Sequence, residues 1–468
     1  MLFPTVDFGI FFLIIFSVSW FLRERADSRK LLLLVSSYFF YGYWDWAFCL
    51  LLLFNAVVSY GGGLLIDGAG SDRRRKQVLA LVVTVDLALL GYFKYAGFFM
   101  ESLRELFFRI GLERDLPILE IILPVGISFF TFQSISYVVD VYRREIHATR
   151  SFSDLALYIS FFPQLVAGPI VRAAHFMPQL EATPILTRLM MGKGLFLILI
   201  GMFKKMVLAN YLATLYVDEI FIAPEQASSF ELVMAVYAYA GQIYCDFSGY
   251  SDIAIGIAAL LGYHFKRNFN QPYRSASLQE FWTRWHISLS QWLRDYLYIP
   301  LGGSRGGTVK TYRNLFLTMF LGGLWHGAAM TFVIWGTIHG LALIIERLLK
   351  IRRFVEHGLG RIVGVLVTFH IVCLAWIFFR ANSLELALAY IEGITLGTTD
   401  IYLFTPFVAG LIALCAIGQF VPERSYERCY WTLSKAGTVG MMIIFALGMV
   451  AIQQIAPSGT APFIYFQF

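Results

Sequence analysis

Apolar stretches of about twenty residues recur along this chain, the length a helix needs to cross a hydrocarbon core of roughly 30 Å. The runs fall at 8–22, 31–44, 47–66, 77–96, 118–141, 194–215, 230–258, 361–379, 402–419 and 437–455, some of them a little short. They predict about ten crossings. A backbone in lipid must satisfy its own polar groups, so these runs point to helices. Composition agrees: 58% of the 468 residues are hydrophobic and only 15% charged, against about a quarter charged in soluble domains. No internal repeat, low-complexity tract or long soluble insertion interrupts the pattern. The expectation is an all-α polytopic membrane protein, with residues 1–468 forming a single integral-membrane domain.

Before the first run the chain offers Asp7 and no basic side chain, while Arg23, Arg25, Arg29 and Lys30 follow it. That is the reverse of a secretory signal, so the segment is expected to stay and to place the N-terminus outside. Alternating crossings then put Arg73–Arg75 and Lys76, Arg143 and Arg144, residues 264–313, and the 421–435 loop with Arg424, Arg428 and Lys435 in the cytoplasm. Both termini are expected on the outer face, periplasmic if the membrane is a bacterial inner membrane. Lys204 and Lys205, inside a span, do not fit this sorting. The net charge of +6 is too scattered for a nucleic-acid footprint. Cys49, Cys245, Cys373, Cys415 and Cys429 lack paired spacing and read as packed thiols.

Several segments depart from simple spans. Residues 315–345 are interrupted by Gly322, Gly323 and Gly327 and flanked by basic loops, which predicts a broken or re-entrant element on the cytoplasmic side. In 97–111, charged and apolar residues alternate as in a helix lying along the membrane. In 281–300, Trp282, Trp285, Leu289, Trp292, Tyr296 and Ile299 recur at steps of three and four, predicting one amphipathic interface helix. LPVGISFFTFQSISYVVDVYR at 123–143 opens on a proline–glycine break and ends near a buried Asp140. FFPQLVAGPIVR at 161–172 holds two prolines and a glycine. Both suggest discontinuous helices lining a cavity.

Ionisable groups within such runs are costly and mark candidate sites. His326, between glycines and beside Trp325, suits a general base or a histidine tying two helices together. His286, beside Trp285, suits the same chemistry or a headgroup-depth histidine. His339 and His370 sit in plain apolar runs and read as structural. No histidine spacing suggests a metal. Asp246 and Asp252 share one span with Tyr250 and lie about 240° apart on a helix, so they share no face unless the helix breaks at Gly249. One could line a polar cavity while the other caps or pairs. The GGSRGG turn at 302–307, with Arg305, Lys310 and Arg313, is either a phosphate-holding loop or an ordinary cytoplasmic turn. No hydrolase sheet supports reading Ser304 as a nucleophile elbow.

The two broken segments, DFSGYSDIAIG, NFNQPYRSASLQEFWTRWHISLSQWLRDYLYIPLGG, GGLWHGA and the closing PFIYFQF together resemble the membrane-bound O-acyltransferase family. Within it they resemble the bacterial branch typified by the alginate O-acetylation membrane protein. The resemblance implies a ring of about ten or eleven helices around a thinned centre, with a tunnel joining a cytoplasmic acyl-CoA thioester to an acceptor outside. It places the family's marked histidine at His326 and a second polar position at His286. Trp285, Trp325, Asp246, Tyr250 and Asp252 are then candidate tunnel residues, and Arg305, Lys310 and Arg313 candidate donor-binding residues. No tightly bound cofactor is implied; acetyl-CoA is the expected donor. The final acceptor is expected to be an exported polysaccharide of the alginate, cellulose or peptidoglycan type. A periplasmic or membrane-anchored partner of serine-esterase type is expected to complete the transfer.

Two rival readings remain at this stage. A transporter or flippase would account for buried carboxylates and broken helices, though no inverted repeat is visible. A structural subunit of an export complex would need neither histidine.

Overall fold

In the computed structural model, described for residues 1–112, 121–166, 168–397, 399–457, 459 and 463–464, every regular element is helical. Six helices are long and apolar enough to cross a membrane: Ala47–Asp67, Asp72–Arg109, Arg188–Ile222, Met330–Leu348, Gly358–Arg380 and Gly437–Ile455. Pro406–Gly418 and Glu423–Lys435 form a further pair bent by 92°. The protein is therefore a polytopic helical membrane protein. The six, or seven with the bent pair, fall below the expected ten because the other runs give shorter or more polar helices. Val6–Phe21 has only 16 residues, and Ser229–Leu260 is studded with buried Asp, Ser and Tyr. The first residues of the 118–141 run lie outside the described residues.

The chain divides into two compact units, Met1–Leu186 with Leu261–Phe265, and Thr187–Leu260 with Lys266–Phe468. In the first unit, residues 97–109 do not turn along the membrane. They continue Asp72–Arg109, one helix of 38 residues and about 57 Å. The 123–143 break is where the sequence places it: Gly126 takes a left-handed φ of 77° and the helix Ile127–Tyr142 starts behind it. Asp140 is buried as expected. Arg75, one of the basic residues read as an orientation signal, is buried. It donates to the carbonyls of Ile66, Val141 and Tyr142, so it caps two helix ends with a positive charge.

The second unit is built on Ser229–Leu260, a single unbroken helix of 32 residues, packed against Arg188–Met202. A Cβ at Gly249 would stand 2.7 Å from the Gly201 carbonyl, and one at Gly256 would stand 2.6 Å from that of Gly194. Both helices place their glycines seven residues apart. The result is a small-residue seam along which two backbones touch, the usual basis of close helix association in lipid. Past the seam the partner helix widens into a π-helical turn, Phe203–Ala209, which carries the two unexplained lysines. Lys204 pairs with Asp252 at 2.7 Å and Lys205 pairs with Asp246. Adjacent lysines diverge by about 100° on a helix, so they reach the two sides of Ser229–Leu260 on which the aspartates sit. No break at Gly249 is needed.

Residues 315–345 form a helical hairpin, Thr308–His326 and Met330–Leu348, each arm about 28 Å long. The predicted break is real but falls at 327–329. Gly322 and Gly323 lie inside the first arm, and a Cβ on Gly323 would stand 3.0 Å from Gly336 Cα in the second.

Candidate active site

The segment 281–300 is not one interface helix. It folds as Leu278–Arg284, Ile287–Leu293 and a π-helical turn Arg294–Tyr298. The middle of its apolar face is buried in protein, with Trp285 2% and Trp292 7% exposed, while Trp282 and Tyr296 are half-buried and Ile299 is exposed. The break falls at His286, which has φ 40° and ψ 57° and caps the second short helix. A non-glycine residue in this left-handed region is strained and is held there only by its surroundings. The surroundings are the loop at 268–270. Ile287 N donates to Asn268 O at 2.8 Å, and Asn270 N donates to Arg284 O at 2.9 Å.

The Asn268 side chain completes this crossing. Its Oδ1 accepts from Ser288 N at 3.1 Å and Ser288 Oγ at 2.9 Å, and lies 3.3 Å from His286 Nδ1. Its Nδ2 donates to Ser251 Oγ at 3.3 Å. A backbone N–H can only donate, so the atom facing Ser288 N is oxygen and the amide orientation is fixed. Nδ1 of His286 therefore carries the proton, and the lone pair of a neutral ring sits on Nε2. Complete burial favours the neutral ring, pushing the imidazole down to about 3.

His326 ends the first arm of the hairpin and is buried. Its ring meets Trp325, Trp335 and Phe379 edge-on, with centroids at 4.9, 4.8 and 5.1 Å. Trp325 also faces His286, at 6.3 Å. One indole thus stands between the two histidines, and residues forty positions apart in sequence converge on one buried centre. Trp285 belongs to the same aromatic body through Trp376, at 5.1 Å. The Trp335 and His339 rings lie tilted with centroids 4.7 Å apart, so a histidine read as structural is a near neighbour of the centre.

Asp246 and Tyr250 reach the centre indirectly. Phe247 stands edge-on to His286 at 4.7 Å and also contacts Phe463, which lies 4.5 Å from Tyr250. Asp246 Oδ2 accepts from Ile464 N at 2.8 Å. Ile464 is thus seated on the buried carboxylate; of PFIYFQF, only Phe463 and Ile464 are among the described residues. Asp252 belongs to its ion pair with Lys204. Arg305 and Lys310 are exposed, and Arg313 donates to Asn314 Oδ1 next to it at 3.0 Å. Lys310 and Arg313 lie 16 and 13 residues before His326, about 24 and 20 Å along the helix. Asn268 and Ser288 were not marked by any spacing in the sequence, and Ser251 stood out only as part of the polar stretch around Asp246 and Asp252; a polar loop residue such as Asn268 gains this role only through the fold.

A helical membrane protein with two histidines buried in one aromatic centre is the class that these observations define. The pattern of the MBOAT, membrane-bound O-acyltransferase family, matches residues 143–387, which include both histidines. The protein named "Probable alginate O-acetylase AlgI" in Pseudomonas aeruginosa is 45% identical over 83% of this chain and 73% of its own length. Its namesake in Pseudomonas putida is 39% identical over the whole of both chains. The "Peptidoglycan O-acetyltransferase" of Helicobacter pylori is 37% identical over 84% of this chain and 79% of its own. The chain belongs to the membrane-bound O-acyltransferase family, and it is an acyltransferase.

Proposed function

We propose that this protein takes acetyl from cytoplasmic acetyl-CoA and passes it across a bacterial inner membrane for O-acetylation of an exported polysaccharide. The observation that carries the reading is the convergence of His286 and His326 on Trp325 in a buried centre. The names of the relatives, an alginate O-acetylase and a peptidoglycan O-acetyltransferase, favour an acetyl group and a polymer acceptor.

A hydroxyl is too weak an acid to attack a thioester at neutral pH unaided. In the proposed step His326 takes the hydroxyl proton as the oxygen bonds to the thioester carbon. The carbon–sulfur bond then breaks, and the imidazolium returns the proton to the departing thiolate, which leaves as free thiol. The hydroxyl's one proton goes to His326, so His286, with its lone pair on Nε2, accepts instead from another N–H or O–H of the bound reactants, such as an amide of the pantetheine arm, and orients the thioester. That tautomer favours orientation over donation to an oxyanion. The aromatic walls keep water from the thioester. Arg305, Lys310 and Arg313 remain candidates for attracting the anionic donor to the cytoplasmic face. A serine-esterase-type partner outside, with the polymer as final acceptor, completes the proposed route; both chain termini face that side.

The test is transfer of radiolabelled acetyl from acetyl-CoA by the purified full-length protein, compared with His326→Ala at equal membrane insertion. Loss of transfer in the variant supports the reading. A variant as active as the parent, or a parent that moves polymer without consuming acetyl-CoA, favours a transporter.

A further inference from the structure

The loops at 267–284 and 421–427 were read in the sequence as basic orientation signals. In the structure they meet. Arg267 pairs with Glu423 at 2.6 Å, and the Gln271 side-chain amide donates to the Val421 carbonyl. Segments that touch at their polar ends lie on one face of the membrane. Between them opens a polar cavity of about 740 Å³, within the range of small-molecule sites. Arg274, Arg284 and Arg424 line it against Glu423 and Glu427. Glu423 is already neutralised by Arg267. Arg284 is fixed by Glu280 at 2.9 Å and by the Asn270 carbonyl at 3.1 Å. Arg274, which donates to Gln271 Oε1 at 2.8 Å, and Arg424 make no ion pair among the described residues, and against the one remaining carboxylate, Glu427, they leave the cavity with an excess of positive charge.

The cavity also has a defined relation to the centre. Asn270 and Arg284 form one rung of the crossing described above, and Asn268 and His286 form the next. The wall of the cavity and the buried histidine are two residues apart on both strands of the crossing, about 7 Å of chain. A group held by Arg284 is therefore next to the segment that fixes His286. Neither Arg305, Lys310 nor Arg313 lines this cavity.

The geometry points to this cavity as the site for the phosphates of a phosphorylated thioester donor, held by Arg274 and Arg424 with Arg284 as the fixed floor. This rests on the acyl-transfer reading above. Guanidinium–phosphate contacts are charge-assisted and strong. The shared chemistry is a phosphate on a pantetheine arm, which is offered either by coenzyme A or by the prosthetic arm of a carrier protein. An anionic lipid headgroup is the competing occupant.

The experiment compares three donors on the purified full chain: acetyl-CoA, S-acetyl-phosphopantetheine and S-acetyl-pantetheine, which lacks phosphate. Arg274→Ala and Arg424→Ala are each expected to raise KM for acetyl-CoA about tenfold, as loss of a hydrogen bond to a charged group does, while kcat stays within about twofold. KM for S-acetyl-pantetheine should not move. A rise with both phosphorylated donors places the pantetheine phosphate in the cavity. A rise confined to acetyl-CoA places the nucleotide phosphates there and excludes a carrier arm. Unchanged KM for every donor overturns the assignment. So does an equal loss with all three, and its reversal by vesicles containing phosphatidylglycerol would give the cavity to lipid. A parent protein that uses none of the three donors refutes the acyl-transfer reading itself, a distinct outcome.

Discussion

Asn268 fixes the proton of His286: its Oδ1 accepts from Ser288 N at 3.1 Å and so must also accept from His286 Nδ1, at 3.3 Å. This leaves Nε2 as the basic atom of a ring held in a left-handed backbone. Removing the amide frees the tautomer and the ring together. Asn268→Ala should therefore lower kcat for acetyl transfer by about tenfold or more, in line with loss of substrate positioning. KM for the donor should change little. Steady-state kinetics on the purified protein check this; wild-type kcat would remove Asn268 from the mechanism.

Burial makes His286 a source of acid sensitivity. Its folded pKa of about 3 lies below the unfolded value of about 6.5. Between these values the unfolded chain binds the extra proton, so stability falls as pH falls through that window and is fully present above it. Thermal unfolding in detergent should show a steeper loss from pH 6.5 to pH 4.5 for the parent than for His286→Gln. Parallel curves would mean that the ring does not titrate with unfolding.

The Lys205–Asp246 pair is almost fully buried, at 3% and 5% side-chain exposure, and Asp246 also accepts from Ile464 N. Lys205→Ala leaves a buried carboxylate without its cation and should cost about 3–5 kcal/mol. Lys205→Ala with Asp246→Ala should recover part of that loss. The Lys204–Asp252 pair is more open, at 12% and 22%, and Lys204→Ala should cost less. Unfolding midpoints of the three variants, each set against the parent, decide it. Equal costs at the two lysines would contradict the role given to burial.

The helix seam is testable by a single methyl. Gly249→Ala puts a Cβ 2.7 Å from the Gly201 carbonyl, a contact that neither backbone can relieve without moving apart. The expected cost is about 1–3 kcal/mol. Gly410, whose Cβ would meet nothing within 4 Å, is the control and should tolerate alanine.

Much of this was legible in the sequence. Apolar run length gave the helical membrane class, and Pro124–Gly126 and Gly327 marked real breaks. His286 and His326 stood out because ionisable residues in apolar segments are costly. The 281–300 helix was misread because an aromatic stripe looks alike whether it faces headgroups or protein. The pairing of Lys204 and Lys205 was hidden because a π-helical turn and partners 48 and 41 residues away leave no periodic mark. Arg75 shows that a basic residue near a span end can be a buried cap as well as an orientation signal.

The most direct measurement concerns His326, whose ring lies 4.9 Å from Trp325 in the shared centre. Single-turnover transfer of labelled acetyl from acetyl-CoA should be followed with the parent and His326→Ala, matched for expression, membrane insertion and unfolding midpoint. If His326 is the base, the variant loses transfer by about 100-fold or more while remaining folded. Transfer at the parental rate by a folded His326→Ala protein would contradict the assignment of this centre to the chemistry.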